Sequence, residues 1–235
     1  MKFLVVLLTM IPLSGFCDDI KVLSGGAAKS FIDPLAATFT GHTVKIDYQP
    51  MGRLTKSLAA GAPADMVVVT EEVVPSLKLG SGTPLARVGI GVAVNEKAPL
   101  PDISTVEAFK RTLLAAKSVV YIDPKVGTSG KHVDEVLRKL NIHEEVLRKA
   151  TLGTGGYVTA PVGRGEIELG IHQISEILPV KGVRLAGPLP AELQKYTVYV
   201  ALPVKNTPAV AAFIAHLTGP QAKARLEQAG YTSPQ

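Results

Sequence analysis

Ile20-Lys21-Val22-Leu23-Ser24-Gly25-Gly26-Ala27-Ala28-Lys29 is the stretch that decides the fold. Four residues of apolar, strand-like sequence run into a tight Ser-Gly-Gly-Ala turn. Lys29 to Phe39 then follows with helical spacing, Phe31, Leu35 and Phe39 falling on one stripe. Pro34 inside that stretch predicts a kink or a late start. The unit is strand, turn, helix, and outward from it the pattern recurs. His42 to Tyr48 alternates as a strand, and Pro50-Met51-Gly52 turns into a helix over Arg53 to Ala60. Gly61-Ala62-Pro63-Ala64-Asp65 leads into the buried strand Met66 to Val69, with helical sequence from Glu71. Further along, Val88 to Val94 and Ser118 to Ile122 read as strands. Thr105 to Ala116 and Lys131 to Leu140 read as helices. The strands Leu169 to Ile171, Val183 to Ala186 and Tyr196 to Val204 precede two terminal helices, Thr207 to Leu217 and Pro220 to Ala229. Strand and helix alternating throughout predict α/β layers with mostly parallel sheets. Ligands of such sheets bind beyond the carboxyl ends of the strands.

The 235 residues suit one large domain or two modest lobes. At 46% hydrophobic and 19% charged, the composition is that of a globular protein. The net charge of +5 admits an anionic ligand, an anionic surface or nucleic acid. Nucleic acid is set aside, because acidic residues are interspersed with the basic ones, aromatic residues are 5% and Trp is absent. The start of the chain sets the compartment. Met1-Lys2, the apolar run Phe3 to Leu13 and the breakers Pro12, Ser14 and Gly15 form a signal peptide over residues 1–17, with cleavage after Cys17 and a periplasmic product. Lipidation of Cys17 is the alternative, disfavoured by the bulky Phe16 before it. After cleavage the chain holds no thiol, which excludes disulfides and Cys chemistry. No cofactor or metal is expected: zinc spacing, HExxH, Walker A and GxSxG patterns are absent from the sequence.

Four turns share one chemistry. Ser24-Gly25-Gly26-Ala27, Pro50-Met51-Gly52, Gly127-Thr128-Ser129-Gly130 and Thr154-Gly155-Gly156 each open a helix. A helix start has unpaired N–H groups and partial positive charge, and small residues let an anion reach them. One such turn means only a tight connection; four at comparable junctions point to a shared anion site. Lys29, Arg53 and Lys131 stand in the first turns of three of these helices, the wrong sign for the dipole. They either swing into water or converge on a ligand with several carboxylates.

These residues carry a family resemblance. Ser24–Phe39, Gly61-Ala62-Pro63-Ala64-Asp65, Asp123-Pro124 with Ser129-Gly130, Leu169-Gly170-Ile171, and Leu217-Thr218-Gly219-Pro220-Gln221-Ala222 with Gly230-Tyr231 resemble, in that order, the molybdate-binding receptors of ABC importers. The resemblance implies a two-lobed, type II periplasmic-binding fold with a mixed sheet in each lobe. Residues 18–87 and 200–235 would form lobe 1 and 88–199 lobe 2. Two-strand hinge crossovers would lie near 87–95 and 184–203. It implies a monomer that closes on a small anion and hands it to an ABC permease. The site would comprise Gly26, Ala27, Lys29, Met51, Gly52, Arg53, Thr128, Ser129, Gly130, Lys131, Gly155, Gly156 and Gln173.

Carry-over of that site is partial. Where such receptors place serines, this chain has Ala27 in the first turn and Pro50-Met51-Gly52-Arg53 in the second. Ser129 matches the third loop and Gly155 stands near the fourth, while Gln173 takes the place of an oxyanion-binding tyrosine. Hydroxyls lost and cations added favour an organic di- or tricarboxylate over molybdate. Ile171 to Pro179 and Gly187-Pro188-Leu189-Pro190 resemble a divergent branch that includes aconitate isomerase, an enzyme on the same scaffold. A binding protein is the first expectation and an isomerase the second. In the second case His172, Ser129 and Tyr157 are the candidate catalytic residues. A ligand-presenting sensor is the third.

Overall fold

The computed structural model describes residues 19–234; the expected signal peptide and Cys17 lie outside the described residues. Ten strands form two five-stranded sheets. β1 (Ile20–Gly25), β2 (Val44–Gln49), β3 (Met66–Thr70), β4 (Thr83–Val88) and β10 (Thr197–Pro203) make the first, in the order β2-β1-β3-β10-β4. β5 (Ile90–Asn95), β6 (Val119–Ile122), β7 (Ala150–Gly153), β8 (Leu169–Gln173) and β9 (Val183–Pro188) make the second, in the order β7-β6-β8-β5-β9. Both sheets are mixed. β1 runs parallel to β2 and β3, and β6 parallel to β7 and β8, whereas β10 and β5 are antiparallel to both of their neighbours.

The antiparallel strands are the price of dividing one chain between two lobes. β5 follows β4 across the single residue Gly89, and β10 follows β9 across 189–196, so each enters its sheet from the other one. The two crossovers are tied together. The Ile90 N–H donates to Gln194 Oε1 at 2.8 Å, and Gln194 Nε2 donates to the Ile90 carbonyl at 2.9 Å. The backbone passes close to this clamp at Gly89, where a Cβ would stand 3.2 Å from the Gln194 carboxamide.

Each sheet has its own core. Phe31, Leu35 and Leu54 cover the first together with Phe213 and Leu217 of the helix Pro208–Thr218. Phe109, Leu113, Val133 and Leu137 cover the second. Central strands are buried on both faces, as β3, β6 and β8 show, and so lack alternation. β4 and β7 had no clear sequence signature. Both lie at sheet edges: β4 carries Pro84, tolerated there because an edge strand has a free side, and β7 is a partly exposed four-residue strand.

Pro34 does not delay the first helix, which runs Lys29–Ala36 after a 3₁₀ turn at Gly26–Ala28 and stops soon after the proline. Two other helices begin earlier than the sequence pattern predicts, at Met51 rather than Arg53 and at Thr128 rather than Lys131. Among the described residues, no helix is long and apolar enough to cross a membrane.

Candidate functional site

A cleft of about 250 Å³ opens between the sheets, where the helix starts of both lobes meet. Gly26, Ala27 and Lys29 line it from the turn after β1, and Met51 from the helix after β2. From the other lobe come Thr128 and Ser129, the Gly155-Gly156-Tyr157 segment after β7, and His172 and Gln173 at the end of β8. The lobes touch across it. The Gly52 N–H donates to the Val126 carbonyl at 3.3 Å, and a Cβ on Gly155 would stand 2.8 Å from Pro50 Cγ. Gly155 and Gly156 also have φ of +145° and +69°, conformations that favour glycine.

Four of the expected residues are not among those lining the cleft: Gly52, Arg53, Gly130 and Lys131. The early helix starts explain this. At about 100° per residue, Arg53 is turned roughly 200° from Met51, and Lys131 roughly 200° from Ser129. Both cations are exposed. Gly52 spends its amide on the other lobe. Gly130 is where the helix presses on β6, since a Cβ there would stand 2.0 Å from the Ile122 carbonyl oxygen. Of the three first-turn cations, Lys29 alone lines the cleft. Its ammonium is 3.7 Å from Asp33 and 5.1 Å from the centre of the Tyr48 ring, and the Tyr48 hydroxyl donates to Asp33 at 2.6 Å. Burial, followed by that bond to a carboxylate, raises the Tyr48 phenol far above its ordinary range, so it remains a neutral donor.

The floor of the cleft holds a chain of buried polar groups. Ser129 Oγ lies 3.1 Å from His172 Nδ1, and His172 Nε2 lies 3.0 Å from Glu176 Oε2. All three residues are less than 9% exposed. The second contact is a close approach of charge rather than an aligned hydrogen bond, because the Nε2–H direction misses the oxygen. A carboxylate on Nε2 nevertheless favours the tautomer with its proton there. That leaves Nδ1 as acceptor for the Ser129 hydroxyl. Ser129 stands at the second position of the helix Thr128–Lys139, where positive helix-end potential and unpaired amides face the cleft. Among the described residues, no group of three or more His, Cys, Asp and Glu side chains is placed to hold a metal ion.

Glu176 is the residue that the sequence pattern did not expose. It follows His172 by four, but β8 ends at Gln173 and a new helix, Ile174–Ile177, intervenes, so no helical periodicity links the pair. The available signal was a lone carboxylate within Ile174-Ser175-Glu176-Ile177-Leu178. The short helix is held against the first lobe: Ser175 Oγ donates to the Ala27 carbonyl at 3.0 Å, and the Tyr231 hydroxyl donates to the same oxygen. Tyr199, from β10, also lines the cleft and was not expected there. Tyr157 stands 41% exposed at the rim.

Known proteins resemble this chain in sequence and fold. A Pseudomonas protein named aconitate isomerase is 31% identical over 229 residues, spanning 90% of this chain and 86% of its own. The molybdate-binding protein ModA of Escherichia coli K12 is 26% identical over 227 residues, spanning 91% and 88%. The periplasmic molybdate-binding protein of Azotobacter vinelandii superposes with a TM-score of 0.76 at 21% identity, over 92% of this chain and all of that one, a likeness of fold. The family described as bacterial extracellular solute-binding protein matches residues 20–232. With two mixed sheets, a cleft between them and that match along nearly the whole described chain, the protein belongs to the bacterial extracellular solute-binding proteins, in the molybdate-binding-like, type II periplasmic group.

Proposed function

We propose that this protein binds a small polycarboxylate between its lobes and shifts a proton on it, as an isomerase of an unsaturated tricarboxylate such as aconitate. The observation that carries this is the buried Ser129–His172–Glu176 chain facing the cleft. A site that only held an oxyanion would gain nothing from an ionisable carboxylate and imidazole in its floor. A buried carboxylate opposes an anion, and removing it from water is costly. A proton shift needs both groups. A C–H bond on the methylene next to a carboxylate breaks, and its electron pair delocalises towards that carboxylate. The double bond migrates, and a new C–H bond forms on the former vinyl carbon, so the product is an isomer.

Within that scheme His172 holds the proton in transit, either directly or through the Ser129 hydroxyl, with Glu176 Oε2 beside its other ring nitrogen. Lys29 and the helix starts at Gly26-Ala27, Met51 and Thr128-Ser129 offset charge that builds on the substrate carboxylates. The identity to a protein named aconitate isomerase supports the same class of substrate. A receptor that delivers the anion to an ABC permease is the second reading, favoured by the family match and by the contact of the lobes over the cleft.

Purified protein, residues 18–235, incubated with trans-aconitate and followed by proton NMR, should yield cis-aconitate without added metal. Tight binding of aconitate with no interconversion would select the receptor. A melting temperature raised only by molybdate and tungstate would exclude the carboxylate altogether.

A further inference from the structure

Gln173 ends β8 with its carboxamide at the cleft and only 2% exposure. Its Oε1 accepts from the Tyr199 hydroxyl at 3.2 Å, a bond that reaches from β10 of the first lobe to β8 of the second. Its Nε2 is buried and has no hydrogen-bond partner among the described residues. A carboxamide is a donor at one end and an acceptor at the other, so a single strong neighbour decides which end faces a ligand. Were Gln173 turned over, its carbonyl oxygen would face a cleft that already carries the Glu176 carboxylate. Two acceptors would then oppose an anion.

We propose that Tyr199 is a positioning residue: its hydroxyl holds Gln173 with the –NH₂ towards the cleft, where it donates to an oxygen of the bound anion. In this pairing the phenol donates and Gln173 Oε1 accepts. Burial, with Glu176 adding to it, raises the Tyr199 phenol well above its ordinary range, so the hydroxyl keeps its proton. Room for the ring comes from Gly25, where a Cβ would stand 2.9 Å from Tyr199 Cε1. The glycine that opens the first helix-start turn thus also admits the residue that orients a donor in the other lobe. This favours a ligand atom that accepts, such as a carboxylate or oxyanion oxygen, over one that can only donate. It rests on the proposed anion-binding cleft and is independent of whether the anion is turned over.

The test is a four-variant cycle by titration calorimetry, using wild type, Tyr199→Phe, Gln173→Met and the double variant. Trans-aconitate and molybdate are both titrated, and the one that binds wild type more tightly is the probe. Each single change should weaken the probe about tenfold, and the double variant should be no weaker than Gln173→Met alone, because Tyr199 acts through Gln173. Unchanged affinity in Tyr199→Phe, or losses that multiply in the double variant, would overturn the proposal. Melting temperatures of the ligand-free variants identify any that fail to fold. In that event Gln173→Glu decides: a donor replaced by a carboxylate should lose more than tenfold, and wild-type affinity would reject a donor role. If only molybdate binds, the carboxylate substrate falls while the cycle still decides the role of Tyr199. If neither anion binds, both proposals fall.

Discussion

The two sheets have the same plan and opposite chemistry. In each, three parallel strands in a middle-first order are followed by a reversed strand and then an edge strand. Each also sends glycine-containing turns to the cleft. Yet the first lobe supplies Gly26, Ala27, Met51 and Lys29, groups that attract an anion through amides and one charge. The second supplies Ser129, His172, Gln173 and Glu176, groups that donate, accept or move a proton. Bonds from Ser175 to Ala27 and from Tyr199 to Gln173 cross between them. A duplicated scaffold therefore does not require a duplicated role. On the proposed function, one lobe serves as an electrostatic wall while the other carries the reactive side chains, both facing one cleft.

The sharpest way to break this division is His172→Asn. On the proposed function, turnover of aconitate should fall by about 10²–10⁴-fold with binding changed much less, as measured by NMR rates and calorimetry. Equal losses in turnover and in affinity would place His172 among binding groups and erase the contrast between the lobes. Paired core truncations come next. Phe213→Ala in the first core and Phe109→Ala in the second each empty a fully buried site, and should destabilise by about 3–5 kcal/mol in urea titration. Hydrogen exchange should show the loss concentrated in the truncated sheet; uniform loss would mean that the cross-lobe bonds fuse the two into one unit.

Lys29→Ala should weaken an anionic ligand about tenfold, whereas Arg53→Ala and Lys131→Ala should stay within about twofold, as expected for exposed charges outside the cleft. Comparable losses for all three would restore the three-cation site drawn from the sequence. The smallest effect concerns acid. Burial alone would raise the Asp65 carboxyl, but hydrogen bonds from Lys205 and the Lys21 amide prevail and hold it below its ordinary value. Asp134 in the second lobe is likewise partly buried, and is held low by Arg138 and His143. A depressed carboxyl contributes stability that is complete above its unfolded value of about 4 and disappears as pH falls through the lower folded value. Asp65→Asn should therefore lose about 1–2 kcal/mol near pH 7 and flatten the acid limb of the melting curve. An acid limb identical to wild type would assign it to other carboxylates.

Much of the scaffold was legible in the chain itself. The strand, turn and helix over Ile20–Ala36, the buried strand at Met66 and the terminal helices are local patterns, because side-chain periodicity records which face is covered. The glycine-containing turns were legible for the same reason, and they pointed to a cleft that takes an anion. Strands β4 and β7 were not: β4 carries Pro84, and β7 is four residues with none buried, so neither shows a strand's pattern of covered side chains. Nor was the direction of Arg53 and Lys131, which depends on where each helix begins by two or three residues. Above all, tertiary structure alone decided that His172, Ser129 and Glu176 meet. They stand on a strand end, a helix start and a separate short helix, and side chains on different elements become neighbours only when the sheets and helices pack. Sequence thus determined most of the elements, while packing determined which side chains face the cleft, because periodicity is a property of one segment and a site is a property of several.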